Sequence, residues 1–213
     1  MPTPFDPHCR RCPRLAAFLS EVHIEKPEYF CAPVPPFGDT KAQILIVGLA
    51  PGKHGANRTG RPFTGDYAGI LLYETLYKYG LASAASSVSV DDGLVLRAVR
   101  ITNAVKCLPP DNKPLPLEVQ TCNVYLKTEL AASPAARVIL ALGGVAHSAV
   151  LRAYGMALSR HRFAHAAEHL LGEGQVLLDS YHCSRYNTQT RRLSVAMFEA
   201  VVGRATELAG SNV

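Results

Sequence analysis

Cysteine spacing carries the first chemical signal. Cys9 and Cys12 form a C-x2-C pair near the amino terminus, and Cys107 and Cys122 form a C-x14-C pair far along the chain. Four thiolates drawn from two such places can hold either zinc or an iron–sulfur cluster. The second pair is too widely spaced for an independent zinc knuckle, so it reads as the other half of one site that ties the N-terminal segment to the domain. Spacing alone equally allows Cys107 and Cys122 to be ordinary buried thiols. Cys31 and Cys183 have no partner spacing and read as plain residues.

Three polar stretches carry the rest. Gly48 to Asp66 reads GLAPGKHGANRTGRPFTGD, and its five glycines and two prolines let backbone approach a ligand closely. Within it, Phe63 offers an apolar face that can stack on a planar base. Asp66 ends the stretch after Thr-Gly and before Tyr67, a sequence that invites a helix N-cap. The second stretch is TNAVKC, Thr102 to Cys107, followed by LPPDNK to Lys113, and the third is SYHCSRYNT, Ser180 to Thr188.

The elements that must position these residues follow from periodicity. Gln43–Leu49, Ile101–Val105, Arg137–Leu142 and Gln175–Leu178 are short aliphatic runs that read as four strands. Helical periodicity covers Tyr67–Tyr79, Leu117–Ala132, Gly144–Tyr154 and Thr190–Val202. Alternation of the two predicts a doubly wound α/β domain with a mostly parallel sheet, whose ligands sit beyond the carboxyl ends of the strands. The three stretches all follow strands, so they should gather on one edge of that sheet. Ala82–Val90 reads as a surface excursion and Leu208–Val213 as a fraying end. No linker divides the chain, so residues 1–213 are expected to form one domain.

Composition narrows the class. The chain has 213 residues, of which 48% are hydrophobic and 18% charged. These are globular proportions, which exclude collagen-like, disordered and coiled-coil chains. The net charge of +5 admits a polyanionic partner such as nucleic acid. No apolar run is long enough for a membrane span, and Met1–Leu19 lacks a secretory pattern, so a cytoplasmic protein with reduced cysteines is expected.

Taken in order, GLAPG, NRTGRPFTGD, ITNAVKC and YHCSRYNT resemble the motifs of the uracil-DNA glycosylase superfamily, most closely its family 5, from Cys9 to Thr188. The resemblance implies a three-layer α/β/α sandwich around the four-stranded sheet and a 4Fe-4S cluster on Cys9, Cys12, Cys107 and Cys122. It also implies removal of uracil from DNA, with hypoxanthine, xanthine or ethenocytosine as further bases. Relatives of the first family carry an acid at the place of Ala50, and those of the fourth carry Glu at the place of Leu49. Both are apolar here, as in family 5, where the aspartate matching Asp66 is the catalytic acid. The third motif usually reads His-Pro-Ser, and Cys183 in place of proline should loosen that loop.

On this reading Asp66 orients a water, His182 donates a hydrogen bond to the departing base, and Asn103 pairs with the edge of the flipped base. Phe63 stacks on that base, and Gly48, Leu49 and Ala50 line its pocket. Ser184, Arg185 and Asn187, with Thr188, contact DNA near the start of the last helix, and Arg58, Arg61, Lys106 and Lys113 extend the basic, DNA-binding edge. The partner is double-stranded or single-stranded DNA, and the enzyme is expected to be a monomer without membrane attachment. Structural roles stand beside each of these: Asp66 as a helix cap, His182 as a solvated loop residue, Asn103 as a backbone-bonding strand end. The rival from another class is a zinc-stabilised DNA-binding module without catalysis. A serine hydrolase is excluded by the lack of a Gly-x-Ser-x-Gly elbow.

Overall fold

In a computed structural model that describes residues 5–210, four parallel strands fill the centre of one open sheet. They are β2 (Ile44–Gly48), β3 (Val99–Asn103), β4 (Val138–Leu142) and β6 (Val176–Ser180). All correspond to the aliphatic runs in the sequence. The sheet nevertheless has six strands, not four, in the order β1-β3-β2-β4-β6-β5. The two additions, β1 (Phe37–Gly38) and β5 (Glu168–Leu170), pair antiparallel with β3 and β6. Each is two or three residues long and partly exposed, so neither has the continuous apolar run that marks a buried strand.

Alternation along β2 explains the layers. Ile44 and Ile46 face a core shared with helices α3 (Tyr67–Lys78) and α7 (Val195–Leu208), through Leu72, Leu76, Phe198 and Val202. Leu45 and Val47 face the opposite core, built on Leu126 and Leu130 of α4 (Pro116–Ala131) and on Ala149 and Val150 of α5 (Gly144–Ala153). Helices on both faces of a largely parallel sheet make the three-layer α/β/α arrangement. None of the described helices is long and apolar enough to cross a membrane.

A helix absent from the sequence reading, α1 (Pro13–Glu25), seats Leu15, Leu19 and Val22 in a third cluster with Val105, Leu108 and Tyr125. Pro13 opens it, at the one helical position where the missing N–H costs nothing. At the other end, the expected helix Thr190–Val202 starts later and runs further, as α7, and the short α6 (Arg185–Gln189) precedes it within the stretch read as the third loop. Arg191 adopts φ 57°, and the Ser194 side chain caps α7 by accepting from the Met197 N–H at 3.1 Å. Leu208 is helical rather than frayed, and 211–213 lie outside the described residues. The short α2 (Ala56–Thr59) interrupts the long loop after β2.

Ala82–Val90 is not only a surface excursion. Ala82 bridges to Leu96, and Ser87 is buried against Thr64 at 2.7 Å. Arg61, expected on the DNA-facing edge, is buried there: it donates to Asp92 at 2.7 Å and to Ser87 at 3.0 Å, and its guanidinium lies 4.3 Å from the Phe37 ring centroid. Lys106, expected on the same edge, is buried in an ion pair with Glu129 at 2.7 Å. Both cations hold the fold instead of facing DNA.

Burial alone would push the Asp92 carboxyl up, but Arg61 and the N–H groups of Leu94, Val88 and Ser89 outweigh it and hold the pKa at about 2. A depressed folded value stabilises the protein above the unfolded pKa of about 3.9 and is lost as pH falls toward 2. Asp92→Ala strands the buried Arg61 charge, and an equilibrium denaturation curve at pH 7 should show a loss of about 3 kcal/mol. The deficit should shrink as the comparison is moved from pH 7 to pH 3; a deficit independent of pH would show that packing, not charge, is lost.

Candidate active site

Gly48 and Asn103 are register partners at the carboxyl ends of β2 and β3, so the first and second loops leave the sheet side by side. Gly48 has to be glycine: a Cβ there would lie 2.4 Å from Asn103 Oδ1 and 2.5 Å from the Phe63 ring. Beyond these ends opens a cleft of about 790 Å³, lined among others by Leu49, Ala50, Phe63, Asp66, Asn103 and His182. Ser184 and Arg185 stand on its rim. Gly48 lies behind the wall, holding Phe63 and Asn103 in place.

Phe63 is buried with φ 55°, a conformation that costs a non-glycine residue energy and persists only where its surroundings enforce it. Its neighbours do so. Arg61 is pinned as described above, Thr64 donates to or accepts from Ser87, and the Tyr73 hydroxyl donates to the Pro62 carbonyl at 2.9 Å. The ring stacks against His182 with centroids 5.8 Å apart and an interplanar angle of 26°.

Asp66 serves as the N-cap of α3, accepting from the Gly69 N–H at 2.9 Å through Oδ1. Its other oxygen reaches toward Gly55, where a Cβ would come within 2.4 Å of Oδ2. Capping and facing the cleft therefore coexist in one side chain. Burial pushes its pKa up, against the opposing pull of the Gly69 and Ala68 N–H groups.

Two polar atoms in this region have no hydrogen-bond partner among the described residues: Asn103 Oδ1 and His182 Nδ1, both buried. An orphaned buried acceptor or ring nitrogen is costly, and a pair of them beside one cleft is a place prepared for a ligand. His182 is not the solvated loop histidine of the structural reading. Burial drives its pKa down to about 4, so the imidazole is neutral at physiological pH. Its carbonyl accepts from Asn187 Nδ2 at 2.8 Å. Cys183, expected to loosen the loop, is fully buried in the core shared with α3 and α7 and anchors it.

The expected DNA contacts divide. Arg185 is exposed on the rim, with its guanidinium 5.9 Å from the Tyr67 ring centroid. Ser184 caps α6 by accepting from the Asn187 N–H at 3.4 Å. Asn187 and Thr188 lie in this five-residue helix rather than at the head of the last long one, and Asn187 supports His182 instead of lining the cleft. Arg58 is exposed but outside the cleft wall, donating to the His54 carbonyl at 2.8 Å. Lys113 is exposed. Sequence reasoning missed Lys53, His54, Tyr67 and Gly143–Gly144 on the wall. Gly143–Gly144 end β4 as Gly48 ends β2, a signal that was there to be used.

The four expected cysteines also converge. Cys9, Cys12, Cys107 and Cys122 surround one small pocket between the start of α1, the loop after β3 and α4. No disulfide joins them. The backbone N–H of Lys106 donates to Cys122 Sγ at 3.3 Å, and burial pushes the Cys107 and Cys122 thiols up. The donor set is all thiol, which suits a thiolate-held metal centre.

Comparison with known proteins agrees with the geometry. Residues 35–205 match the Uracil DNA glycosylase superfamily. The chain is 49% identical over 207 residues, 95% of its own length and 94% of the relative's, to the type-5 uracil-DNA glycosylase of Thermus thermophilus. It is 43% identical, over 95% of its length and 90% of the relative's, to the type-5 uracil-DNA glycosylase of Pyrobaculum aerophilum. Similarity to the type-4 uracil-DNA glycosylase of Archaeoglobus fulgidus, at 38%, covers 58% of this chain and 49% of that one. The chain belongs to the uracil DNA glycosylase superfamily, on its type-5 branch.

Proposed function

We propose that this chain is a DNA glycosylase of base excision repair that flips uracil out of DNA and hydrolyses its N-glycosidic bond. The observation that carries the site assignment is the convergence of Asp66, Asn103, His182 and Phe63 on one cleft at the strand ends. A base stacked in a duplex is out of reach, so the enzyme extrudes it, at least cost where it is mispaired. Phe63 stacks on the extruded ring. The unpartnered Asn103 Oδ1 accepts from the uracil N3–H, while its amide N–H₂ donates to the adjacent carbonyl. Hypoxanthine and xanthine present the same N–H/C=O edge and join uracil as substrates. Ethenocytosine lacks that N–H, and its acceptance rests on the width of the cleft.

As the bond from C1′ to the base nitrogen breaks, its electron pair leaves with the base. The neutral His182 donates a hydrogen bond to the carbonyl on which that charge grows. The Asp66 carboxylate opposes the sugar cation, orients the water that attacks C1′, and takes its proton, leaving an abasic site. Arg185 and Ser184 on the rim, with Arg58 beside it, meet the DNA, while Asn187 holds the His182 loop.

Cys9, Cys12, Cys107 and Cys122 hold a 4Fe-4S cluster, supported by their convergence on one pocket with an all-thiol donor set. When bound, the cluster ties the start of α1 to the loop after β3; the hydrolysis itself uses no electron transfer. The zinc-held, non-catalytic module leaves the two orphaned polar atoms at the cleft without a purpose.

The deciding experiment incubates the protein with a labelled duplex containing one U·G pair, beside T·G, hypoxanthine·T and ethenocytosine·G duplexes, followed by alkaline cleavage. Strand scission at uracil and hypoxanthine but not thymine is expected, with the single-turnover rate of Asp66→Asn reduced by about 10²-fold or more. Iron-containing protein that leaves uracil intact would refute the proposal.

The wild-type rate should also fall as the pH drops through the Asp66 value, which burial places above the ordinary aspartate range. His182, with a pKa of about 4, contributes no limb near neutrality. An acid limb at an ordinary aspartate's position would separate Asp66 from the rate.

Cys12→Ala is expected to yield colourless, poorly soluble protein with little iron or sulfide. A brown, fully active variant would remove Cys12 from the ligand set.

A further inference from the structure

A second set of ligating side chains lies outside the cleft and takes no part in the glycosylase reading. His147 of α5, His169 of β5 and Asp179 of β6 bring one ring nitrogen each and a carboxylate oxygen within 4.8 Å of one another. Asp179 is fully buried, His147 nearly so, and His169 is partly exposed at the sheet edge. His147 Nδ1 lies 2.9 Å from Asp179 Oδ1, and His169 Nε2 lies 3.0 Å from Asp179 Oδ2.

The hydrogen-bond chemistry of His147 is the informative part. Its Nε2 lies 2.9 Å from the backbone carbonyl of His161, an oxygen that can only accept. Nε2 must therefore carry a hydrogen. Its Nδ1 faces a carboxylate, which is satisfied in one of two ways: a second proton, making a buried imidazolium–carboxylate pair, or a cation held jointly by Nδ1 and Asp179. The second is the arrangement in which a metal-bound histidine donates its remaining N–H to a backbone carbonyl, fixing tautomer and ring orientation.

We propose that His147 Nδ1, His169 Nε2 and the Asp179 carboxylate form a binding site for a divalent transition metal, zinc above all, distinct from the cysteine centre. Two imidazoles and one carboxylate suit zinc in ligand type and number, leaving a fourth position for water. Zinc bound at about 2.0 Å would set nitrogen and oxygen donors about 3.3 Å apart, so each imidazole–carboxylate distance changes by a few tenths of an ångström, while the two ring nitrogens, already within 4.8 Å, close to a similar separation. The charge balance also favours it: two neutral imidazoles leave a buried carboxylate uncompensated, and a dication replaces the proton on His147. His169 and the neighbouring His161 ring, 5.8 Å between centroids, mark the side from which an ion enters. The ion would join the edge strand β5 to β6 and α5. Asp179 stands three residues before His182, and the Gly143–Gly144 turn on the cleft wall leads into α5.

The test uses protein as purified, with iron and sulfide assayed alongside, equilibrated with zinc chloride and desalted. One zinc per chain in addition to the iron is expected, and zinc-edge X-ray absorption should show a shell of nitrogen and oxygen at about 2.0 Å without sulfur at about 2.3 Å. His169→Gln should weaken zinc binding at least tenfold at unchanged iron content and abolish the rise in Tm that zinc gives the wild type. Calorimetry near pH 6 in two buffers should record a net release of protons as zinc binds, with His147 Nδ1 giving up its hydrogen. No zinc uptake, a sulfur shell, or equal uptake by wild type and His169→Gln would each overturn the site. The absorption measurement needs only wild-type protein, so it stands even if the variant does not fold.

Discussion

Four adjacent parallel strands buried on both faces leave the chain only their ends for polar chemistry. The apolar side chains of β2, β3, β4 and β6 are committed to the two cores, alternately up and down, and the helices that cover them return the chain to the same starting edge each time. Every loop that follows a strand therefore opens on the same side. Gly48 and Asn103 meet by register, and His182 arrives beside them because β6 ends two residues earlier. No long-range pairing of loops has to be encoded separately; the hydrophobic pattern of the strands brings the cleft together.

The cleft is expensive to maintain. Asn103 Oδ1 and His182 Nδ1 are buried without partners, each at a cost on the order of 1–3 kcal/mol, and Phe63 adopts a backbone conformation that adds to it. The surrounding interactions are correspondingly dense. The Arg61–Asp92 pair, Ser87 with Thr64, and the Tyr73 hydroxyl on Pro62 all clamp the four residues Arg61 to Thr64. Polar groups kept desolvated and aimed before the substrate arrives need no reorganisation when charge develops, which is where such strain is repaid in rate.

What was legible in the sequence follows the strength of its patterns. The four aliphatic runs, the glycine-rich loop and the Thr-Gly-Asp cap each have a local physical signature, and each lies where it was expected, save that β3 begins and ends two residues before its run. The strands β1 and β5 have none: their existence depends on an edge offered by β3 and β6, which composition does not record. Helix α1 was hidden because Pro13 and the flanking cysteines look like breakers until Pro13 is placed at the first helical position. The loop cations were misjudged for a related reason. Arg61 and Lys106 look like DNA ligands by charge, and only three-dimensional packing reveals Asp92 and Glu129 as their counter-ions. A charge in a loop carries no information about which way it points.

Lys106 links the two functional regions. It follows Asn103 by three residues and precedes Cys107 directly; its side chain bonds Thr102 and Glu129 while its backbone N–H donates to Cys122. The cysteine cluster and Asn103 at the cleft thus share one short, buried segment. Cys183 plays a similar part on the opposite wall. Proline would stiffen that loop through its own ring, acting on the chain whether folded or not. A fully buried cysteine, helped by Asn187 on the His182 carbonyl, stiffens it only once the core shared with α3 and α7 has formed. In this chain the rigidity of the His182 wall is a consequence of tertiary packing, and it should fail together with that core rather than loop by loop.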